Sequence, residues 1–363
     1  MKNYNILTLG ASGAGKTVFL ASMFKALSIQ SDDNFSLKVE NDQYRKKLNS
    51  IYTQIFTGEN WPPGTKDVSE WIFTCSVQTR NLDSYDACKF TYFDYAGGRL
   101  TDVDVDDDPE LKAIVQKADA ILGLLDGQKI HAWISGSNQD AVDIFLKNDL
   151  PIIIRQMRDS TIPIHFVISK WDILDNAQFS LNQVRERLFS IPDFEQLVRK
   201  RNNAGSPVRL IPVSSVGLNF AEPQPDGSMK KIPGAVPKPF NVEAPVAFVL
   251  ADKLLQVLKE KENQDINEKN LEDILRQFGI GMRFIDFILE FEDEDSFQEI
   301  QVFVKALSFF NSLVVKVSRI FRKKTTLKDV KDEQTALIHA IKRFGEIQTQ
   351  LNRDFPESEL FLP

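Results

Sequence analysis

The octapeptide GASGAGKT, Gly10–Thr17, constrains this chain more than any other stretch. It satisfies G-x-x-x-x-G-K-[ST] and lies between an apolar run, Tyr4–Leu9, and an amphipathic stretch, Lys16–Leu27. A strand that turns through glycines into a helix brings backbone N–H groups and the positive end of the helix dipole to one point. That point attracts phosphate. The cradle expected here is the backbone of Gly10, Ser12, Gly13, Ala14, Gly15, Lys16, Thr17 and Val18. Lys16 is expected to reach β- and γ-phosphates, and the Thr17 hydroxyl to ligate Mg²⁺. A glycine-rich loop can also be plain turn chemistry, and the strand–loop–helix context argues against that.

As far as about residue 261, strand-like apolar runs alternate with helical patterns, which points to a mainly parallel sheet covered by helices. Trp71–Gln78 and Lys89–Phe93 read as strands joined by the turn NLDSYD. Ala120–Leu125, Ile164–Ile168 and Val208–Val213 read as buried strands. Helices are expected from the capping residue Asn41 to Gly58, and near 109–117, 139–158, 181–200 and 245–261. Prolines and glycines over 218–243 call for a long loop or a hairpin. After residue 262 only helical patterns remain. Asn270 can cap LEDILRQF, and Ser296 with Glu299 forms a capping box. Behind it Ile300, Phe303, Leu307, Phe310, Val314, Val317 and Phe321 make a heptad seam, and Val330, Leu337, Ile341, Phe344 and Leu351 form a similar stripe. An antiparallel helical hairpin accounts for both. The expected division is a nucleotide-binding domain over 1–262 and a helical region over 263–363.

A formal net charge of −7 provides no global basic field, so nucleic acid is not expected as a partner. Lys316, Arg319, Arg322, Lys323, Lys324 and Lys328 could form a local contact patch, although a solvated hairpin tip explains them as well. Two cysteines, Cys75 and Cys88, are no disulfide framework and suit a reducing, cytoplasmic setting. No apolar run reaches the roughly 20 residues of a spanning helix, and the first residues lack the pattern of a secretory leader. His131, His165 and His339 are too dispersed for a zinc site.

Three later segments narrow the chemistry. In FTYFDYAGG, Asp94 ends a strand and Gly97 follows in D-x-x-G spacing, so a carboxylate can hold a Mg²⁺ shell while the Gly97 N–H meets a γ-phosphate. In HFVISKWD, an apolar strand delivers Ser169, Lys170 and Asp172. Asp172 can accept N1–H and N2–H₂ of guanine, a donor pair that adenine lacks, and the Lys170 stem can lie over the base. In LIPVSSVG, Ser214 and Ser215 follow a strand, and the Ser215 N–H can meet guanine O6.

In this order, and with ADAILGLLDG (Ala118–Gly127) between the second and third, these segments resemble the Ras-like, translation-factor-related P-loop GTPase superfamily. A helix before WPPGT, the DYAGG variant and NVEAP after the last strand resemble, more narrowly, the bacterial double-GTPase-like group. The resemblance, which covers roughly the first two-thirds of the chain, implies an α/β, P-loop GTPase-like, mainly parallel sheet covered by helices, and the helical patterns after residue 262 add an all-α C-terminal region. It also implies GTP or GDP with Mg²⁺, the metal held by Thr17, Asp94 and a loop threonine. Thr65 in WPPGT is the choice for that role, with Thr57 and Ser69 as competitors. The acidic positions Asp102, Asp104, Asp106, Asp107 and Asp108 fall where a second mobile loop is expected.

Departures from the family pattern stand at Ser169 in place of asparagine, Val216 in place of lysine, and Gly98 in place of a water-orienting glutamine. Arg99 is the nearest polar side chain and suits charge stabilisation, since a guanidinium accepts no proton. The catalytic set expected is therefore Lys16, Thr65 and Arg99. The expected function is a guanine-nucleotide switch with slow hydrolysis of GTP to GDP and phosphate. The alternatives are a non-hydrolysing nucleotide-binding scaffold and an ATP-using enzyme, against which Asp172 argues. A protein effector or regulator acting through the helical region, or a second copy of the chain, is the expected partner.

Overall fold

A computed structural model of the chain describes residues 3–28, 35–64, 67–79, 82–101, 108–224, 228–249 and 330–360. Several expectations lie outside those residues: Thr65, the acidic positions 102–107, most of the 245–261 helix, LEDILRQF, the 300–321 seam and the basic positions 316–328.

Strand β1 (Asn3–Leu9) sits between β4 (Ser84–Asp94) and β5 (Ala120–Asp126), and it is parallel to both. Its residues alternate, so that Tyr4 and Ile6 enter one core layer while Leu7 and Leu9 enter the other. Strands β6 (Ile164–Ser169) and β7 (Val208–Pro212) extend the parallel side. On the far side β3 (Ser69–Gln78) runs antiparallel to β4 and pairs with β2 (Phe35–Val39). The order is β2-β3-β4-β1-β5-β6-β7, a seven-stranded sheet in which β3 alone is reversed. Strand β2 was not expected: five residues at a sheet edge give a short alternation, Phe35, Leu37 and Val39 inward. Strands β3 and β4 are longer than expected, because the hairpin pairs from Ser69 with Asp94 to Gln78 with Ser84, and Cys75 and Cys88 face each other as free, buried thiols.

The helices follow their caps. Helix α1 (Lys16–Ser28) leaves the glycine loop, and α2 (Asp42–Thr57) is capped by Asn41, whose Oδ1 accepts from Gln43 and Tyr44 N–H at 2.8 and 3.3 Å. A four-residue turn, α3 (Gly97–Leu100), precedes α4 (Pro109–Lys117), and α5 (Gly127–Ser135) follows β5 directly. The helix expected over 139–158 comes in pieces: α6 (Gln139–Ile144), a π-turn at Phe145–Asp149 and α7 (Leu150–Arg158). Pro151 has no N–H for the regular ladder, which accounts for the wider turn before it. Past α8 (Trp171–Asn176), the helix expected over 181–200 breaks at Ser190–Ile191 into α9 (Leu181–Phe189) and α10 (Pro192–Asn203), again at a proline. The 218–243 segment carries a small hairpin, β8 (Ala221–Pro223) with β9 (Met229–Lys231).

The final helix, α11 (Glu333–Asp354), lies on the sheet. Phe344 meets Phe35 and Phe90 edge-on, with ring centroids 5.3 and 6.0 Å apart, in the same core layer as α1 and β4. Beyond it Phe355 packs on Trp171 and Phe240. The Ser358 hydroxyl donates to Leu210 O (2.7 Å) and Leu360 N–H to Val208 O (2.9 Å), which covers the β7 edge. The expected boundary at 262/263 therefore does not separate residues 333–360 from the sheet. From Leu337 to Leu351, the apolar stripe assigned to a helical hairpin is the face that α11 buries on the sheet, against β3 and β4.

Candidate functional site

At the C-terminal ends of β1, β5 and β6, a cavity of about 460 Å³ opens beside the Gly10–Thr17 loop. Crevices at this end of parallel strands are where open α/β sheets bind ligands. The loop turns through Gly13 and Gly15, whose φ values of 80° and 86° need residues without a Cβ. Ser12, Gly13, Gly15, Lys16, Thr17 and Val18 line the cavity, while Gly10 and Ala14 support the loop from beneath. The buried Lys16 ammonium donates to the carbonyls of Gly10 (2.6 Å) and Ala11 (3.2 Å) in its own loop. Burial lowers its pKa, opposed by the charge of Asp94.

Asp94, at the end of β4, is buried, and one of its oxygens is 3.5 Å from the Thr17 hydroxyl. Gly97 packs against the loop so closely that a Cβ there would sit 2.4 Å from Ser12 N and 2.6 Å from Ala11 C. The D-x-x-G spacing thus works as a contact between backbones. Hydroxyl and carboxylate are hard oxygen donors of the kind Mg²⁺ takes, with phosphate oxygens and water completing its shell. Among the described residues no cluster of three His, Cys, Asp or Glu makes an all-protein metal cage. Thr17 and Asp94 fit a metal that is held jointly with a phosphate ligand.

The opposite wall comes from β6 and the turn after β7. Lys170 adopts a left-handed conformation (φ 50°, ψ 39°), an uncommon backbone for a residue with a side chain. Its ammonium is paired with Asp126 (2.8 Å), which at the same time caps α5 by accepting from Gln128 N–H (3.0 Å). Neither Asp126, the last residue of β5, nor Gln128 carries a local pattern that marks it as part of a site. The Ser169 hydroxyl donates to Leu125 O (3.0 Å), so it ties β6 to β5 and leaves the glycine loop untouched. Asp172 is buried, and its Oδ1 accepts from the Ser214 hydroxyl at 2.6 Å. Ser214 in turn accepts from Gly217 N–H (2.8 Å). Burial raises the Asp172 pKa, and the Ser214 hydrogen bond opposes that shift. Ser169, Lys170, Asp172 and Ser215 line the cavity, while Ser214 stands behind Asp172 as its support.

Trp61, Pro62, Pro63 and Gly64 of WPPGT line the cavity too, next to Thr65, whose own position lies outside the described residues. Thr57 ends α2 with its hydroxyl on Thr53 O (2.9 Å), and Ser69 begins β3. Neither lines the cavity. Arg99 differs from expectation. Its guanidinium is paired with Asp108 (2.6 Å) and Glu110 (2.7 Å), lies 5.4 Å from the Tyr95 ring centroid, and does not line the cavity. Two acids at the start of α4 hold it more firmly than water would. Asp108 is itself the α4 cap, accepting from Glu110 and Leu111 N–H and from the Tyr95 hydroxyl, so it belongs to the start of α4.

The three histidines take packing positions: His165 is buried under Phe248, His131 stands against Phe179, and His339 is buried on α11. No described helix is long and apolar enough to cross a membrane. No protein-family model matches this chain, and no curated protein matches it.

Proposed function

We propose that the cavity binds a guanine nucleotide, GTP or GDP with Mg²⁺, and that the chain works as a nucleotide switch with slow hydrolysis. One observation carries this reading: six segments spread from Ser12 to Ser215 converge on one cavity, with a glycine loop on one wall and a buried, hydroxyl-supported carboxylate on the other. The loop amides and Lys16 suit a polyphosphate, and Asp172 suits two parallel N–H donors of a purine. Mg²⁺ bound with the phosphates would neutralise charge on their oxygens.

Hydrolysis adds water to the γ-phosphorus and breaks its bond to the β-γ bridging oxygen, and it needs a group that orients that water. Gly98 has no side chain and Arg99 is engaged by Asp108 and Glu110, so intrinsic turnover is expected on the order of 10⁻⁴ to 10⁻² per second. The same two residues favour a second reading, a scaffold that binds nucleotide without hydrolysing it. Single-turnover phosphate release separates the two, and a rate that climbs with protein concentration identifies a second copy of the chain as the activator.

The primary test is the nucleotide retained after purification, read by chromatography, with GTP and ATP affinities measured beside it. Asp172→Asn should weaken GTP binding by about 2–5 kcal/mol, the range for truncating one side of a buried, hydrogen-bonded charge contact. It should also improve binding of xanthine nucleotides, whose 2-oxo group accepts the new amide donor. Equal affinity of the unaltered protein for ATP and GTP would sink the assignment.

A further inference from the structure

Three segments far apart in sequence meet along one side of the cavity. The Lys231 ammonium, at the end of β9, donates to the carbonyls of Gln54 (2.9 Å), Gly58 (2.6 Å) and Asn60 (3.4 Å). Gln54 lies in the last turn of α2, at the negative end of the helix dipole, Gly58 is the residue that caps the helix, and Asn60 follows it, so the ammonium ties the helix end to the chain beyond. The same ammonium lies 5.0 Å from the centroid of the Trp61 ring, within cation–π range. The Trp61 indole N–H in turn donates to Met229 O (2.6 Å), and Phe220 meets the ring edge-on at 6.2 Å.

Both tied segments then run on into the cavity wall, Trp61–Gly64 from one side and Ala221 with Met229 from the other. Neither is strong by itself. Strands β8 and β9 have three residues each, and a lone two-stranded hairpin is marginal in water. Residues 58–64 have no regular structure. A cation that satisfies three carbonyls across the junction is therefore a main connection between them.

We propose that Lys231 is a positioning residue that clasps the 58–64 segment to the β8–β9 hairpin, making the two a single wall that retains the bound nucleotide. This rests on the reading of the cavity as a guanine-nucleotide site. Losing the clasp should act on escape of the ligand more than on its arrival, since affinity changes within one interface fall mainly on dissociation.

The test uses the full chain with GDP and Mg²⁺ as the probe. Lys231→Met keeps the side-chain stem and removes the ammonium. It should release GDP about tenfold faster, the equivalent of one charge-assisted hydrogen bond, with the association rate within about twofold. Lys231→Arg keeps a cation with several donors and should restore release to within about threefold of the unaltered protein. Release at the unaltered rate by Lys231→Met overturns the clasp. An arginine variant as defective as the methionine variant also overturns it, because charge then is not what holds the wall. If Lys231→Met fails to fold, Trp61→Phe carries the same test: it leaves a smaller aromatic ring beside the ammonium and loses the donor to Met229. It should release GDP about threefold faster, and release at the unaltered rate again overturns the proposal. An unaltered protein that binds no guanine nucleotide overturns the parent reading, whereas one that binds GDP beside a silent Lys231→Met overturns the clasp alone.

Discussion

Adjacent glycines in DYAGG give the fold a sharp internal test. At Gly97 an added Cβ would lie 2.4 Å from Ser12 N, 2.6 Å from Ala11 C and 2.8 Å from Ala11 O. Real Cβ atoms do not approach backbone so closely, and backbone cannot swing aside as a flexible side chain does. Gly97→Ala must therefore push the start of α3 away from the glycine loop or move the loop itself. Overpacking costs typically about 1–3 kcal/mol, and a clash with main chain belongs at the upper end. For a domain of this size, about 3 kcal/mol is roughly 6–12 °C of melting temperature. The neighbouring Gly98 meets nothing within 4 Å of its added Cβ and lies within helix α3. Gly98→Ala should be neutral or stabilising by about 0.5–1 kcal/mol, since alanine restricts the unfolded chain and favours helix. Thermal melting and calorimetric titration with GDP measure both variants. If the loop yields in Gly97→Ala, the melting loss shrinks and phosphate binding weakens instead. A Gly97→Ala protein with unaltered melting and unaltered binding refutes the packing of D-x-x-G on the loop.

Three further outcomes follow from burial. Phe344→Ala removes a ring packed against Phe35 and Phe90 and should cost about 3–5 kcal/mol in urea unfolding, and a chain ending at residue 262 should lose its cooperative transition altogether. A stable truncation would show that α11 is an accessory. The pH dependence of GTP affinity should follow free Asp172. Its carboxylate must be ionised to accept the base, and burial raises its pKa above the ordinary 3.8, so affinity should fall on acidification with a bend above that value. Asp172→Asn should remove the bend, and calorimetry between pH 4 and 8 decides it.

Legibility in the sequence follows the range of the physical signal. The Gly10–Thr17 loop, the Asn41 cap and the inward alternation of Tyr4 and Ile6 against Leu7 and Leu9 are each written within a few residues. Glycine conformations, caps and strand periods act locally, so strand, loop and helix could be read in place. The separation of Asp172 from the loop by more than 150 residues was bridged only by motif order and resemblance. Packing decided the rest. Arg99 stands out in the sequence only as the polar side chain next to Gly98, and the fold brings Asp108 and Glu110 onto it. The support of Asp172 by Ser214, of Lys170 by Asp126, and of the Trp61 segment by Lys231 are side-chain pairings between distant elements, with no local pattern to announce them. The stripe on α11 shows the same limit from the apolar side. Its spacing determined that one face of the helix would be buried, but hydrophobic burial is non-directional, and only the assembled sheet decided that β3 and β4 would cover it.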